Sequence, residues 1–544
     1  MISLNDRKIF YLSNAFILII LILTCLSFIP HYHNVSYFVN YYKIISFFSI
    51  YYLFVLLRFI CPKIMRYLPI SIVLIMCIIE FSIILTQLLF ESNIKNHLYL
   101  ISGSYHNPAP LGGFLAISIS ILFATKDYLK DNRIIYFLMT FVIYCSIIIL
   151  PSTMSRAAII SLLVSFFLWS INTKQNTVLI LKKHKYSLII ASLLLIVVLY
   201  LIKKPSADGR FFMFLISFRA LKKSPFWGNG LGTFAGLQSQ EQALYFKQAM
   251  TSINDSLDLN HVNETFRMVA DSCFLSFNEI MKIGIEQGWI VMLLFILLLL
   301  LLLIYSFVSG NSYCYGLLTL ILFSCFSYPF SIWSFLLILG ALIALCVIPL
   351  EDVVYRPLMD YFFIGFMFAL TLVVLGVMTP HFCKIHNSEK QWELEPSWSS
   401  LEMYDCTVKL CDELYEDLSY DYKFMFDYGK ALNKISEYDK SDSILRKGLE
   451  LCGDPMFWNV MGNNSIARGR YREAEERYMN AFYMVPNRLY PLYLLAKLYY
   501  QECDTARFLK MSEKIDSFKP KVESATTNQF RQEIKDLKIT FLKQ

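Results

Sequence analysis

Four stretches of the chain gather residue types that could do chemistry, and each interrupts apolar sequence. The first is Gly103-Ser-Tyr-His106-Asn107-Pro108-Ala-Pro110. Its glycine and prolines end a loop and start a helix, which sets His106 and Asn107 at the helix entry. The second, Ser152-Thr153-Met-Ser155-Arg156-Ala-Ala158, brings hydroxyls, backbone N–H groups and a guanidinium to a helix start, the make-up of an anion site. An arginine there could also reach out to lipid phosphates. The third runs from Gly209-Arg210 through Arg219 to Gly228-Asn-Gly230-Leu-Gly232. Phe211, Phe214, Phe218 and Leu221 have helical spacing and form one apolar stripe, so this helix is expected on the membrane face, with Arg210 at its start and Arg219 further along. No strand precedes the glycine turn, so it does not read as a nucleotide site. The fourth, Phe277-Asn278-Glu279 through Glu286-Gln-Gly288, puts Glu279 and Glu286 on one helix face at i and i+7. Carboxylates there could take or give a proton, or cap structure.

The elements that must position these residues follow from composition. Of 544 residues, 56% are hydrophobic and only 17% charged. An ordinary soluble domain carries about 25% charge. A single soluble domain, a disordered chain, a collagen and a small disulfide scaffold are all excluded. The net charge of +7 sits unevenly: residues 1–379 are apolar and basic, residues 380–544 polar and near neutral. A polytopic membrane domain over 1–379 followed by a soluble domain over 380–544 is the expected organisation. Apolar runs near helix length lie at 14–30, 42–61, 68–90, 111–125, 132–150, 157–172, 186–203, 288–308, 313–328, 331–349 and 358–379. These predict about eleven transmembrane helices, because lipid leaves unpaired backbone groups unsatisfied. The first run lacks a cleavage site and reads as an uncleaved membrane helix.

Orientation follows the lysines and arginines of short loops. One side collects Arg7, Lys8, Lys63, Arg66, Lys126, Lys130, Arg133 and the lysines of 174–185; the other has Lys43, Lys95 and Arg156. The first side is therefore cytoplasmic. The 203–287 connection and the tail from 380 are expected outside, in the periplasm if the membrane is a bacterial inner membrane. Thirteen cysteines form no CxxC pair. Seven sit in or beside apolar runs as small fillers, and one disulfide among the other six is left open.

The tail reads as helical repeats. Trp458, Met461, Gly462, Gly469, Tyr471, Ala474, Tyr478, Ala481 and Pro486 fall on tetratricopeptide spacing. Gly429, Tyr438, Ala496 and Tyr499 take equivalent places, so two to three repeats are expected over about 421–510, capped by helical material around 398–418. Such a stack is either a partner-binding surface or a passive cap on the membrane domain.

The four stretches, in this order, resemble the O-antigen ligase family of bacterial membrane glycosyltransferases. Its superfamily also holds O-antigen polymerases and protein O-oligosaccharyltransferases. The resemblance covers roughly 98–310, and the appended repeats are similar to a variant architecture of that superfamily. It implies a glycan donor on undecaprenyl diphosphate at the periplasmic face and no cofactor. By motif, Arg156 and Arg210 match the two diphosphate-facing arginines, with Asn107 and Arg219 as further donor-binding candidates. A guanidinium suits this role, since it can pair bidentately with a diphosphate gaining charge. The resemblance implies a histidine just before Asn278 as the base that takes the acceptor proton; here that place is Phe277. Glu279 is then the nearest candidate base, with Asn278 beside it and His261, Glu264 and Asp271 as alternatives. The acceptor could be lipid A core, a protein hydroxyl or another lipid-linked unit. A non-enzymatic scaffold working through the repeats and a transporter are the competing classes. Neither a nucleic-acid partner nor a metal is expected: there is no HExxH, and Asp255 and Asp258 read as solvated.

Overall fold

A computed structural model describes residues 2–28, 35–90, 99–173, 200–201, 204–250, 262–347 and 358–543. Among the described residues the structure is all-helical, with no strand. Among the described residues, seven helices are long and apolar enough to cross a membrane: Lys8–Leu26, Val39–Ile60, Leu68–Phe90, Pro108–Leu129, Arg133–Thr153, Glu279–Val308 and Leu358–Ser400. Three more apolar helices among them are shorter: Arg156–Asn172, Tyr313–Ser324 and Trp333–Val347. The run expected at 186–203 lies almost wholly outside the described residues, as do His261, Asp255 and Asp258. None of the thirteen cysteines is in a disulfide.

The chain divides into two compact units whose segments interleave. The first holds Met1–Ile29, Tyr41–Ile202 and Phe277–Thr379; the second holds Pro30–Asn40, Lys203–Ser276 and Pro380–Gln544. Residues 203–276, which the sequence reads as a loop of the apolar half, thus pack with the polar C-terminal helices.

In the first unit the helix Pro108–Thr125 is buried along nearly its whole length. It packs against Tyr313–Ser324, Arg156–Thr173 and Arg133–Ile149. Two adjacent glycines allow this. A Cβ on Gly112 would meet the Thr153 hydroxyl at 2.5 Å, and one on Gly113 would meet the Phe323 ring at 2.3 Å. Two polar contacts inside the bundle tie its helices together: the Ser120 and Thr319 hydroxyls lie 2.7 Å apart, and Ser165 donates to the Tyr315 carbonyl at 2.9 Å. In an apolar interior an unmatched hydroxyl is costly, so such pairs also fix helix register.

The second unit is a run of short helices from Tyr404–Leu418 to Thr505–Ser517, each packed on the next. Small residues set the spacing. A Cβ on Gly429 would meet Leu445 at 2.5 Å, and one on Gly462 would meet the Tyr478 ring at 2.3 Å. Onto this run folds the 203–276 segment. Phe212, Ile216, Phe246 and Ala270 share one core with Tyr478, Phe482 and Leu495. Asn487 donates to the carbonyls of Arg267, Met268 and Ala270 at 3.0, 3.3 and 2.6 Å.

Candidate functional site

Asn278 adopts an extended backbone, and its Oδ1 accepts the Met281 N–H at 3.1 Å, capping the helix Glu279–Val308. A capping asparagine satisfies one of the four N–H groups a helix start leaves open. The helix breaks at Gly288 (φ 91°, ψ 167°), so 279–287 forms a separate entry segment. Positive φ there requires glycine. On this segment Glu279, Lys282 and Glu286 fall at i, i+3 and i+7, on one face, as the spacing predicts for the two carboxylates. Glu279 is 1% exposed and Glu286 is buried.

The partners of Glu279 come from a distant turn. Its Oε1 accepts the Ser331 N–H at 3.1 Å and the Ser331 hydroxyl at 3.3 Å. Lys282 Nζ donates to the same hydroxyl at 2.9 Å and lies 4.0 Å from Glu279 Oε2. Glu286 is within electrostatic range of both, and Lys43 of Lys282. Two carboxylates and two amines are thus gathered inside an apolar bundle, where ionisable groups mark functional positions. Phe277 stands edge-on to Tyr328, with ring centroids 5.5 Å apart, at the base of the same turn.

The first stretch meets the helix that follows that turn, Trp333–Val347: the Tyr105 and Phe335 rings lie 5.9 Å apart. Its loop is fastened by two buried polar residues of the helix Leu68–Phe90. Glu80 accepts the Ser104 N–H at 2.9 Å and also the Ser104 hydroxyl. Gln87 donates to the Gly103 carbonyl at 2.8 Å and accepts the N–H groups of Ser102 and Gly103. Gly103 has φ 62°, a left-handed backbone that favours glycine, and a Cβ there would crowd the Glu80 carboxylate. Asn107 caps its helix, Oδ1 accepting the Ala109 N–H at 3.0 Å. The second stretch packs on that helix through Gly112, which faces Thr153 and Ser155. The hydroxyls of Ser152 and Thr153 donate to the carbonyls of Ile149 and Leu150, and Met154 turns the chain with φ 52°. Arg156 opens the next helix and is half-buried. The first, second and fourth stretches are therefore linked contact by contact within one unit.

The third stretch belongs to the second unit. Its helix spans Lys204–Lys223, so Arg210 stands in the second turn rather than at the start. Nine positions separate Arg210 from Arg219, about 180° round a helix, so they share no face. Arg219 donates to Gln248 at 3.1 Å, lies 3.9 Å from Glu241 and sits over the Tyr245 ring at 5.5 Å. The expected apolar stripe divides. Phe212, Ile216, Ala220 and Leu221 are buried, while Phe211, Phe214 and Phe218 are exposed. Glu264 is 71% exposed and 3.9 Å from Arg267. Asp271 is paired with Lys521 at 2.8 Å and Arg488 at 3.6 Å. Arg267 is buried against Phe518 and donates to the Lys519 carbonyl at 3.1 Å; burial pulls its pKa below the ordinary arginine value. That role is structural.

Lys282, Ser331, Glu80 and Gln87 are not among the residues that the sequence motifs single out. For Glu80, Gln87 and Lys282 the signal was available: a charge or amide inside or beside an apolar run. Chemically, the first-unit residues offer a buried carboxylate held by a backbone N–H and a hydroxyl with an amine nearby, and a guanidinium at a helix start. Comparison with protein-family models and with curated proteins returns no match for the chain.

Proposed function

We propose that the chain is an integral-membrane glycosyltransferase, similar to the O-antigen ligase family, of a bacterial inner membrane. It would move a glycan from undecaprenyl diphosphate to an acceptor hydroxyl at the periplasmic face, with a periplasmic tetratricopeptide-like C-terminal domain. The observation that carries this reading is the relay of contacts that joins three of the four resembling stretches within one unit, with the buried carboxylate of Glu279 in one of them and Arg156 at a helix start in another.

In this reading the acceptor oxygen attacks the anomeric carbon, and the bond from that carbon to the diphosphate oxygen breaks. The acceptor proton passes to a base, and the diphosphate leaves as an anion. Arg156 stabilises the growing negative charge; by the resemblance Arg210 is the second donor-facing arginine. Glu279 is the base, its carboxylate held by Ser331 with Lys282 nearby, and Glu264 and His261 are the alternatives. A guanidinium aimed at charge that develops in the transition state contributes about 3 kcal/mol, roughly a hundredfold in rate.

The test incubates the purified full-length chain with undecaprenyl-diphosphate glycan and, separately, lipid A core, an acceptor protein and a second lipid-linked glycan. Products are read by mass spectrometry. Transfer to one acceptor, lost roughly a hundredfold in Arg156→Ala and poorly restored by Arg156→Lys, is the expected result. No transfer to any of the three, or normal transfer by Arg156→Ala, overturns the reading.

A further inference from the structure

We infer that the exposed aromatic face of the helix Lys204–Lys223 beds into the headgroup layer of an anionic phospholipid membrane. The inference does not depend on the transferase reading. Phe211, Phe214 and Phe218 are 60%, 46% and 38% exposed, and they lie within about 60° of one another round the helix. Lys204 and Lys222 sit on the same line, one at each end of the stripe, within about 20° of Phe211. The Lys222 ammonium stands over the Phe218 ring at 4.6 Å. Asp208 flanks the stripe on one side. The turn that follows adds Phe226 and Trp227, 71% and 67% exposed. Five aromatic side chains between 211 and 227 are thus turned outward, whereas from 404 to 517 Tyr471 is the one large hydrophobic side chain exposed.

Lipid is the occupant these features fit. A basic residue at each end of an aromatic stripe lets the rings enter the acyl boundary while the ammonium groups stay with phosphates. Tryptophan has the mixed apolar and polar character that the interface favours. In the sequence, the apolar run 186–203 ends one residue before Lys204, so the helix begins where a membrane segment is expected to finish. A sugar-stacking platform would not need the paired lysines, and a second copy of the chain would have to bury like charges against each other.

The test uses the full-length chain in nanodiscs. A nitroxide is placed at Phe214→Cys, in a background where the exposed Cys25, Cys383 and Cys503 are serine, and the control label is at Tyr471→Cys. Collision with oxygen is compared with collision with a water-soluble nickel chelate. In phosphatidylglycerol-rich discs the Phe214 label should favour oxygen and the Tyr471 label nickel. Lys204→Glu with Lys222→Glu should shift the Phe214 label back toward nickel in those discs more than in phosphatidylcholine discs. Nickel accessibility at Phe214 equal to that at Tyr471 overturns the inference. So does spin–spin broadening from a second copy.

Discussion

In the second unit Asp442 is held by Arg477 at 2.8 Å, Arg468 at 2.5 Å and the Asn464 amide at 2.7 Å. Arg477 also donates to the Met461 carbonyl at 2.6 Å and pairs with Glu473. In the first unit Glu279 is just as buried, yet its nearest amine is 4.0 Å away and a serine stands between them. Both are buried charge clusters. In one, each charge is closed by direct hydrogen bonds; in the other, the carboxylate is matched by neutral donors and a cation beyond hydrogen-bond reach. Burial of charge is therefore no guide to function by itself. A carboxylate gripped by two guanidinium groups works as a strut, whereas a loosely matched one is left more open to chemistry.

The comparison breaks most readily at Asp442. Asp442→Ala leaves two guanidinium groups without their shared partner, and breaking a buried pair of this kind costs about 3–5 kcal/mol. Circular dichroism of the full chain should show a part of the helical signal melting earlier, while donor turnover per folded molecule is kept. A melting curve unchanged from the parent would mean the cluster is not a strut. Glu279→Gln should do the reverse. It keeps shape and the Ser331 contacts but removes basicity, so turnover falls by about a hundredfold with melting little moved. Parental turnover in that variant removes Glu279 from the chemistry and moves Glu264 and His261 up.

The smallest expected effect concerns Asp427. Burial, and then the charge of Glu395, push its pKa up to about 7. An unfolded aspartate has a pKa near 3.9, so between that value and about 7 the folded unit binds more protons than the unfolded chain. Stability therefore falls as pH rises through this window and levels off above it. Asp427→Asn should melt about as the parent near pH 4 and higher than the parent at pH 8, by roughly 1 kcal/mol after solvent screening. Equal melting of the two proteins at pH 8 would show that Asp427 does not strain the fold.

What the sequence made legible was what hydropathy and local spacing encode. The run 68–90 is the helix Leu68–Phe90, and Glu279 and Glu286 share a face as their spacing requires. Helix ends were less legible. The apolar run 358–379 ends well before its helix, which continues to Trp392, because backbone hydrogen bonding rather than hydropathy terminates a helix. In the helix Lys204–Lys223 four phenylalanines at 211, 212, 214 and 218 point to different sides, so composition could not choose the buried face. Packing chose it: Phe212 meets the Phe246 ring at 5.4 Å. Ser331 lies 52 residues from Glu279, and no local pattern announces such a pair.

Asn487 donates to the carbonyl of Ala270, 217 residues earlier. During synthesis that separation is a waiting time. At about 5–20 residues per second, roughly 10–40 seconds pass between the emergence of Ala270 and that of its partner. Throughout that interval Phe212, Ile216 and Phe246 have no core to enter, while the apolar helices between 277 and 379 are still being made. The second unit therefore cannot be completed in the order in which it is read. A ribosome stalled after the last apolar helix would leave a segment ready for protease or chaperone, and truncation of the C-terminal helices should be felt first in the proteolytic survival of residues 204–276.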